Sequence, residues 1–142
     1  MEAQQLEMKE FGVKSPSRQP RVQHAKSVLI VEDEFLIRWS LRSRLRQEGF
    51  YVTEAIDLAS ARDIVSPVMD LVLLDLRLPD GDGLDLLYEF RLRWPPAHII
   101  VMTAHGTRAT EEHVLASGAF ALVHKPFDLD EVVRLTHRAT AS

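Results

Sequence analysis

A chain of 142 residues has room for one domain with a full hydrophobic core, and not for two of ordinary size. Hydrophobic residues make up 46% and charged residues 27%, as in soluble globular proteins, and a net charge of -4 argues against binding nucleic acid through a general basic field. There is no cysteine, no apolar run near the ~18 residues of a membrane span and no signal-peptide core, which excludes disulfide frameworks and thiol chemistry and points to a cytoplasmic protein with no membrane partner.

Residues 1–26 mix Gln, Ser, Pro and scattered Lys and Arg. Their apolar residues Leu6, Met8, Phe11 and Val13 are too sparse to bury a face, so the segment reads as a flexible N-terminal arm ahead of a domain over 27–142. The functional alternative is a segment that docks a partner. Ser27–Val31 is a run of buried-strand type that ends on Glu32, Asp33 and Glu34. Over 35–48 the spacing predicts a helix with Ile37, Leu41 and Leu45 on one stripe, Arg38, Arg42 and Arg46 off it, and Gly49 as its cap. Tyr51–Ala55 reads as a short strand, and 58–65 as a short helix stopped by Pro67.

Next comes Leu71–Asp75, four apolar residues closing on a carboxylate, followed by a loop rich in Pro, Gly and Asp. A helix over 84–92 is broken by Trp94, Pro95 and Pro96. A fourth strand over 98–102 ends on Thr103 and Ala104, and a helix over 110–117 stops at Gly118. A fifth strand over 120–124 ends on Lys125 and Pro126, and Asp128 caps a last helix over 129–138. Strand and helix thus alternate five times with short connections. That rhythm predicts an α/β fold, a doubly wound parallel sheet with right-handed crossovers and helices on both faces.

Strand ends in a parallel sheet converge on one edge, which would gather Glu32, Asp33, Asp75, Thr103 and Lys125 into one site. Carboxylates about 4 Å apart repel by ~4 kcal/mol per pair at an effective dielectric near 20, so the cluster calls for a cation. All-oxygen ligation with room for water suits Mg²⁺ or Mn²⁺. Asp75 then becomes a plausible nucleophile towards phosphorus, with the metal, the Thr103 hydroxyl and the Lys125 ammonium each partnering one phosphoryl oxygen. Ala104 is small enough to leave the approach open. Glu34 reads as a first-turn helix residue rather than a third ligand.

Four motifs carry a resemblance: Val-Glu-Asp-Glu at 31–34, Leu-Leu-Asp-Leu-Arg-Leu-Pro-Asp-Gly-Asp-Gly at 73–83, Met-Thr-Ala-His-Gly at 102–106 and His-Lys-Pro-Phe at 124–127. In this order and spacing the chain resembles the receiver domain of two-component response regulators over 27–138. The resemblance implies a flavodoxin-like (βα)5 fold with strand order 2-1-3-4-5. It also implies transfer of a phosphoryl group from a histidine kinase or phosphotransfer protein onto Asp75, and so a phosphorylation-switched partner in two-component signalling. By the same resemblance Asp33 binds Mg²⁺ directly and Glu32 through water, the phosphoacceptor Asp75 is also a ligand, and the backbone carbonyl of Arg77 is another. Thr103 would be the switch hydroxyl, Lys125 the phosphoryl-binding lysine, and the Lys125–Pro126 bond cis. The side chains of Arg77 and His105 would either flank the phosphoryl group or point into solvent.

One position departs from the pattern. Leu122 stands three residues before the lysine, where receivers usually carry an aromatic ring that turns inward with the threonine. Phe120 lies on the same face of an ideal strand but ~7 Å along it, and could stand in only partly. The expectation is that the threonine–aromatic coupling is weak or rerouted. Phe35 and Trp39 lie one turn apart off the buried stripe, either as a patch for a kinase or phosphotransfer helix or packed against the final helix. The face made by 110–117, 120–124 and 129–138 is the implied surface for a homodimer.

Such a domain catalyses its own phosphorylation and dephosphorylation and is not a turnover enzyme on an external substrate. Little chain follows Arg138, so the expected output is binding to a downstream protein target. The alternatives are a degenerate receiver that binds proteins without phosphorylation, or a receiver fragment of a larger transcription activator. A haloacid dehalogenase-type hydrolase would need a second Asp where Arg77 stands, and a cap domain. A flavodoxin would need a phosphate loop where Glu32, Asp33 and Glu34 would repel phosphate.

Overall fold

A computed structural model describes residues 24–141. Five strands, β1 (Ser27–Val31), β2 (Tyr51–Ala55), β3 (Leu71–Asp75), β4 (His98–Thr103) and β5 (Ala121–His124), form one parallel sheet in the order β2-β1-β3-β4-β5. Between and after them run α1 (Phe35–Gln47), α2 (Leu58–Arg62), α3 (Leu84–Arg93), α4 (Arg108–Ala116) and α5 (Leu129–Thr140). This is the doubly wound fold that the alternation predicts.

Side chains alternate across each strand, so the sheet divides its apolar residues between two cores. Leu29, Val31, Val72, Leu74 and Val101 join Leu86, Leu87 and Phe90 of α3 and Val114 of α4 on one face. Val28, Ile30, Leu71, Leu73, Ile100 and Met102 join Leu41 and Leu45 of α1 and Val132 and Val133 of α5 on the other. Both faces of β3 are therefore covered, which is why its residues are apolar without alternation and all five are buried. The chain winds outward from β1 to β2 and then back past β1 to β3. The strand order reverses between β1 and β3, and the carboxyl ends of these two strands hold the acidic residues.

The bounds of α2 and α4 depart from those expected because of side-chain hydrogen bonds at their ends. α2 ends at Arg62, three residues short, and the carbonyls freed beyond it are taken by the end of α3. Arg93 donates through Nη2 to Arg62 O at 3.2 Å and through Nη1 to Ile64 O at 3.0 Å, while the buried Trp94 donates its indole N–H to Ser66 O at 3.0 Å. α4 starts at Arg108 because the Thr107 hydroxyl accepts the Thr110 N–H at 3.1 Å and caps it.

The loop after Asp75 forms a two-residue hairpin, 77–78 with 81–82. Asp80 at its tip accepts the backbone N–H groups of Leu58 at 2.8 Å and Ala59 at 3.0 Å, tying the loop to the start of α2. The loop closes on Gly83, whose N–H donates to Leu76 O at 2.8 Å. A Cβ at Gly83 would overlap the Asp75 carbonyl, so only glycine lets the chain pass this close behind the acidic residue. Of the expected arm, 1–23 lie outside the described residues; Lys26 is tied to the sheet by the Tyr51 N–H, which donates to its carbonyl at 2.9 Å. Among the described residues no helix is long and apolar enough to cross a membrane.

Candidate functional site

The carboxyl edge of the sheet brings together residues that are up to 93 positions apart in sequence. Glu32 and Asp33 follow β1, Asp75 ends β3, Thr103 ends β4 and Lys125 follows β5. Carboxylate oxygens of Glu32, Asp33 and Asp75 lie within 4.8 Å of one another. The Lys125 ammonium stands between two of them, donating to Glu32 Oε1 at 2.6 Å and Asp75 Oδ2 at 3.2 Å. Among these carboxylates Glu32 is 0% exposed and Asp75 buried, whereas Asp33 is open to solvent.

Each buried group is hydrogen-bonded, as burial demands. The second oxygen of Glu32 accepts the Glu34 N–H at 3.0 Å, and Asp75 Oδ1 accepts the Arg77 N–H at 3.1 Å. Burial pushes the Glu32 carboxyl above its usual range, against the opposing pull of its bonds to Lys125 and the Glu34 N–H. Burial also pushes the Lys125 ammonium down, but the hydrogen bond to Glu32 and the fields of Glu32 and Asp75 more than reverse it, and its pKa lies above that of a free lysine. Lys125 is therefore a full cation at neutral pH. Thr103 is buried, its Oγ1 accepts the His105 N–H at 3.2 Å, and its carbonyl accepts the Lys125 N–H at 2.8 Å. Because that hydroxyl is used as an acceptor, its own hydrogen is free to be donated.

A cleft of about 250 Å³ opens beside Asp75, lined also by Asp33, Arg77, Ala104, His105 and Lys125. Ala104 leaves the approach open, as expected. Arg77 and His105 are exposed, and both border this cleft and the larger one beside it. Hard oxygen donors converge here, one of them on the exposed Asp33, and this set fits Mg²⁺. Glu34 occupies the N-cap position of α1 and is not among the three clustered carboxylates.

Arg38 was not legible as part of the site. Its Nη1 donates to Glu32 O at 2.8 Å and Asp33 O at 3.2 Å, while its Nε donates to Glu54 Oε1 at 3.0 Å. It holds the backbone of both acidic residues from one turn into α1. No local spacing announces this, because the partner that aims Arg38 is on β2. Phe35 and Trp39 stand 60% and 48% exposed beside the exposed Leu36, and neither is in the buried cluster that α1 shares with α5. Phe120 does not stand in for the missing ring: it pairs with His98 at the start of β4, with centroids 4.9 Å apart. Leu122 packs half-buried against the α3 and α4 core. The Lys125–Pro126 peptide is cis.

The profile of the response regulator receiver domain matches residues 28–137. The DNA-binding transcriptional regulator NtrC of Escherichia coli strain K12 is 37% identical over 113 residues, 79% of this chain but 24% of that protein, so the chain spans about a quarter of the length of such relatives. Sporulation initiation phosphotransferase F of Bacillus subtilis is 34% identical over 108 residues, 75% of this chain and 87% of that one. The non-phosphorylated HemR receiver domain from Leptospira biflexa superposes with a TM-score of 0.77, at 30% identity over 82% of this chain and 95% of that one. Fold, strand-end chemistry and sequence agree, and the chain belongs to the receiver domain family of two-component response regulators.

Proposed function

We propose that Asp75 accepts a phosphoryl group from a histidine kinase or phosphotransfer protein, and that the event switches which downstream protein the domain binds. The supporting observation is the placement of Lys125 between Glu32 and Asp75, with the exposed Asp33 beside them. Glu32, Asp33, Asp75 and the Arg77 carbonyl are the residues that would hold Mg²⁺, which when bound neutralises charge on the phosphoryl oxygens.

Lys125 holds Asp75 aimed, so a carboxylate oxygen of Asp75 can form a bond to phosphorus as the donor's bond to phosphorus breaks and its electron pair leaves with the donor. Lys125 and the Thr103 hydroxyl then each donate to a phosphoryl oxygen. Hydrolysis returns the carboxylate, with water entering through the cleft between Arg77 and His105. In this reading 27–142 is a cytoplasmic receiver preceded by an arm, and it does not turn over an external substrate. The exposed Phe35, Leu36 and Trp39, on the helix that follows Glu32 and Asp33, form the face for the phosphodonor protein, and the 110–138 face supports a homodimer.

Incubation with acetyl phosphate and Mg²⁺, followed by intact mass measurement, tests the reading. The expected result is one added phosphoryl group in the wild type and none in Asp75→Asn or with a chelator. Equal labelling of Asp75→Asn would overturn it. An unlabelled wild type that binds its target as tightly as Asp75→Asn does would instead identify a phosphorylation-independent receiver.

A further inference from the structure

Resting on the reading of Asp75 as phosphoacceptor, we infer that His124 is the positioning residue that couples Thr103 to β5, in place of a ring at position 122. Three side chains on or next to β5 could sense a movement of Thr103. Phe120 is engaged with His98 at the far end of the strand, and Leu122 is directed into the α3 and α4 core. His124, by contrast, lies against the loop that Thr103 begins. It is the partner of Thr103 in the β4–β5 register.

The contact can be read from Gly106. A methyl group built there would stand 2.6 Å from His124 Cε1, 2.8 Å from Nδ1 and 3.0 Å from Thr103 Cγ2. The imidazole, the Gly106 backbone and the Thr103 methyl are thus packed on one another, and the missing side chain at 106 is what admits the ring. The rest of His124 is exposed, so the ring has room to move. Thr103 Oγ1 meanwhile accepts the N–H of His105, next to Gly106. Drawing that hydroxyl towards a phosphoryl oxygen pulls on 103–106 and so on the surface that the ring rests against. The ring is borne by the residue before Lys125, whose N–H donates to the Thr103 carbonyl. One displacement therefore reaches β5 through backbone and ring together.

The test uses the full chain with Mg²⁺ and beryllofluoride, a phosphoryl mimic, followed by amide NMR. In the wild type, changes are expected at 75 and 103–106 and also along 108–124. His124→Ala should keep the changes at 75 and 103 and lose those at 108–122, while His124→Phe, which retains a ring, should restore them. Leu122→Ala should leave the pattern as in the wild type. Undiminished changes at 108–122 in His124→Ala overturn the inference while leaving Asp75 as acceptor. No change at residue 75 in the wild type removes the acceptor reading and this inference with it. The contact has its own check: Gly106→Ala should destabilise the wild type and be tolerated once His124 is Ala, and equal destabilisation in both backgrounds would show that the ring does not rest there.

Discussion

The two halves of the carboxyl edge are held by different forces. Where β1 and β3 end, Glu32, Asp75 and Lys125 form a buried ionic network, and Arg38 secures the backbone behind it. Where β4 ends, Thr103 bonds through its hydroxyl to its own loop, and α4 beyond it buries a single residue, Val114. By contrast α3 buries Leu86, Leu87 and Phe90, and α5 buries five residues. Charges must not drift if they are to meet a phosphoryl group, whereas an element with few buried contacts opens at low free energy. The rigid half suits reception and the thin half suits movement.

The sharpest way to break this comparison is at Lys125. Lys125→Met strands Glu32 as an unpaired buried charge, and a loss of ~3 kcal/mol in urea unfolding is expected, largely recovered when Glu32→Gln is added. A loss under ~1 kcal/mol, the range of a surface pair, would mean that the network does not hold the edge together. In the thin half, Val114→Ala should cost ~1.5 kcal/mol and speed amide exchange in α4 while leaving β3 protected. Equal acceleration in both would show that α4 is not a separate unit.

A smaller effect separates aim from packing. Arg38→Ala removes the clasp on Glu32 and Asp33 without touching a carboxylate, and should weaken Mg²⁺ binding by about tenfold, read by calorimetry. Unchanged affinity would confine Arg38 to its ion pair with Glu54.

The smallest effects are in pH. Asp80 accepts two backbone N–H bonds and its carboxyl is held below the usual range. Its contribution is present above the ordinary carboxylate value and lost as pH falls through the folded one. Exchange of the 58 and 59 amides should therefore accelerate only below about pH 4, and Asp80→Asn should abolish that dependence. Lys125, with its pKa raised, contributes fully below the ordinary lysine value and loses that only as pH rises beyond it. The receiving half should accordingly show no titration of this group from about pH 6 to 9.

The order of strands and helices was legible because each strand is an apolar run closed by turn residues, and the acidic ends of β1 and β3 follow from where such runs stop. The end of α2 was not. Its last carbonyls are claimed by Arg93 and Trp94, some 30 positions away, and no spacing near Pro67 reports that. The set of site residues was legible as strand ends, while their electrostatics were not: that Glu32 is wholly buried and bound to Lys125 depends on packing from three strands. Phe120 and Leu122 show the same limit. The expectation that they share one face fails: Phe120 lies just before β5 and packs with the α1 and α5 core beside His98, whereas Leu122 packs with the α3 and α4 core.

The most direct measurement locates the phosphoryl group itself. After reaction with acetyl phosphate and Mg²⁺, borohydride reduces an aspartyl phosphate to homoserine, which peptide mass spectrometry places in the sequence. Homoserine at position 75 alone is the predicted result. Homoserine at Asp33 or Asp80, or at no position in a chain that gained phosphoryl mass, would contradict it.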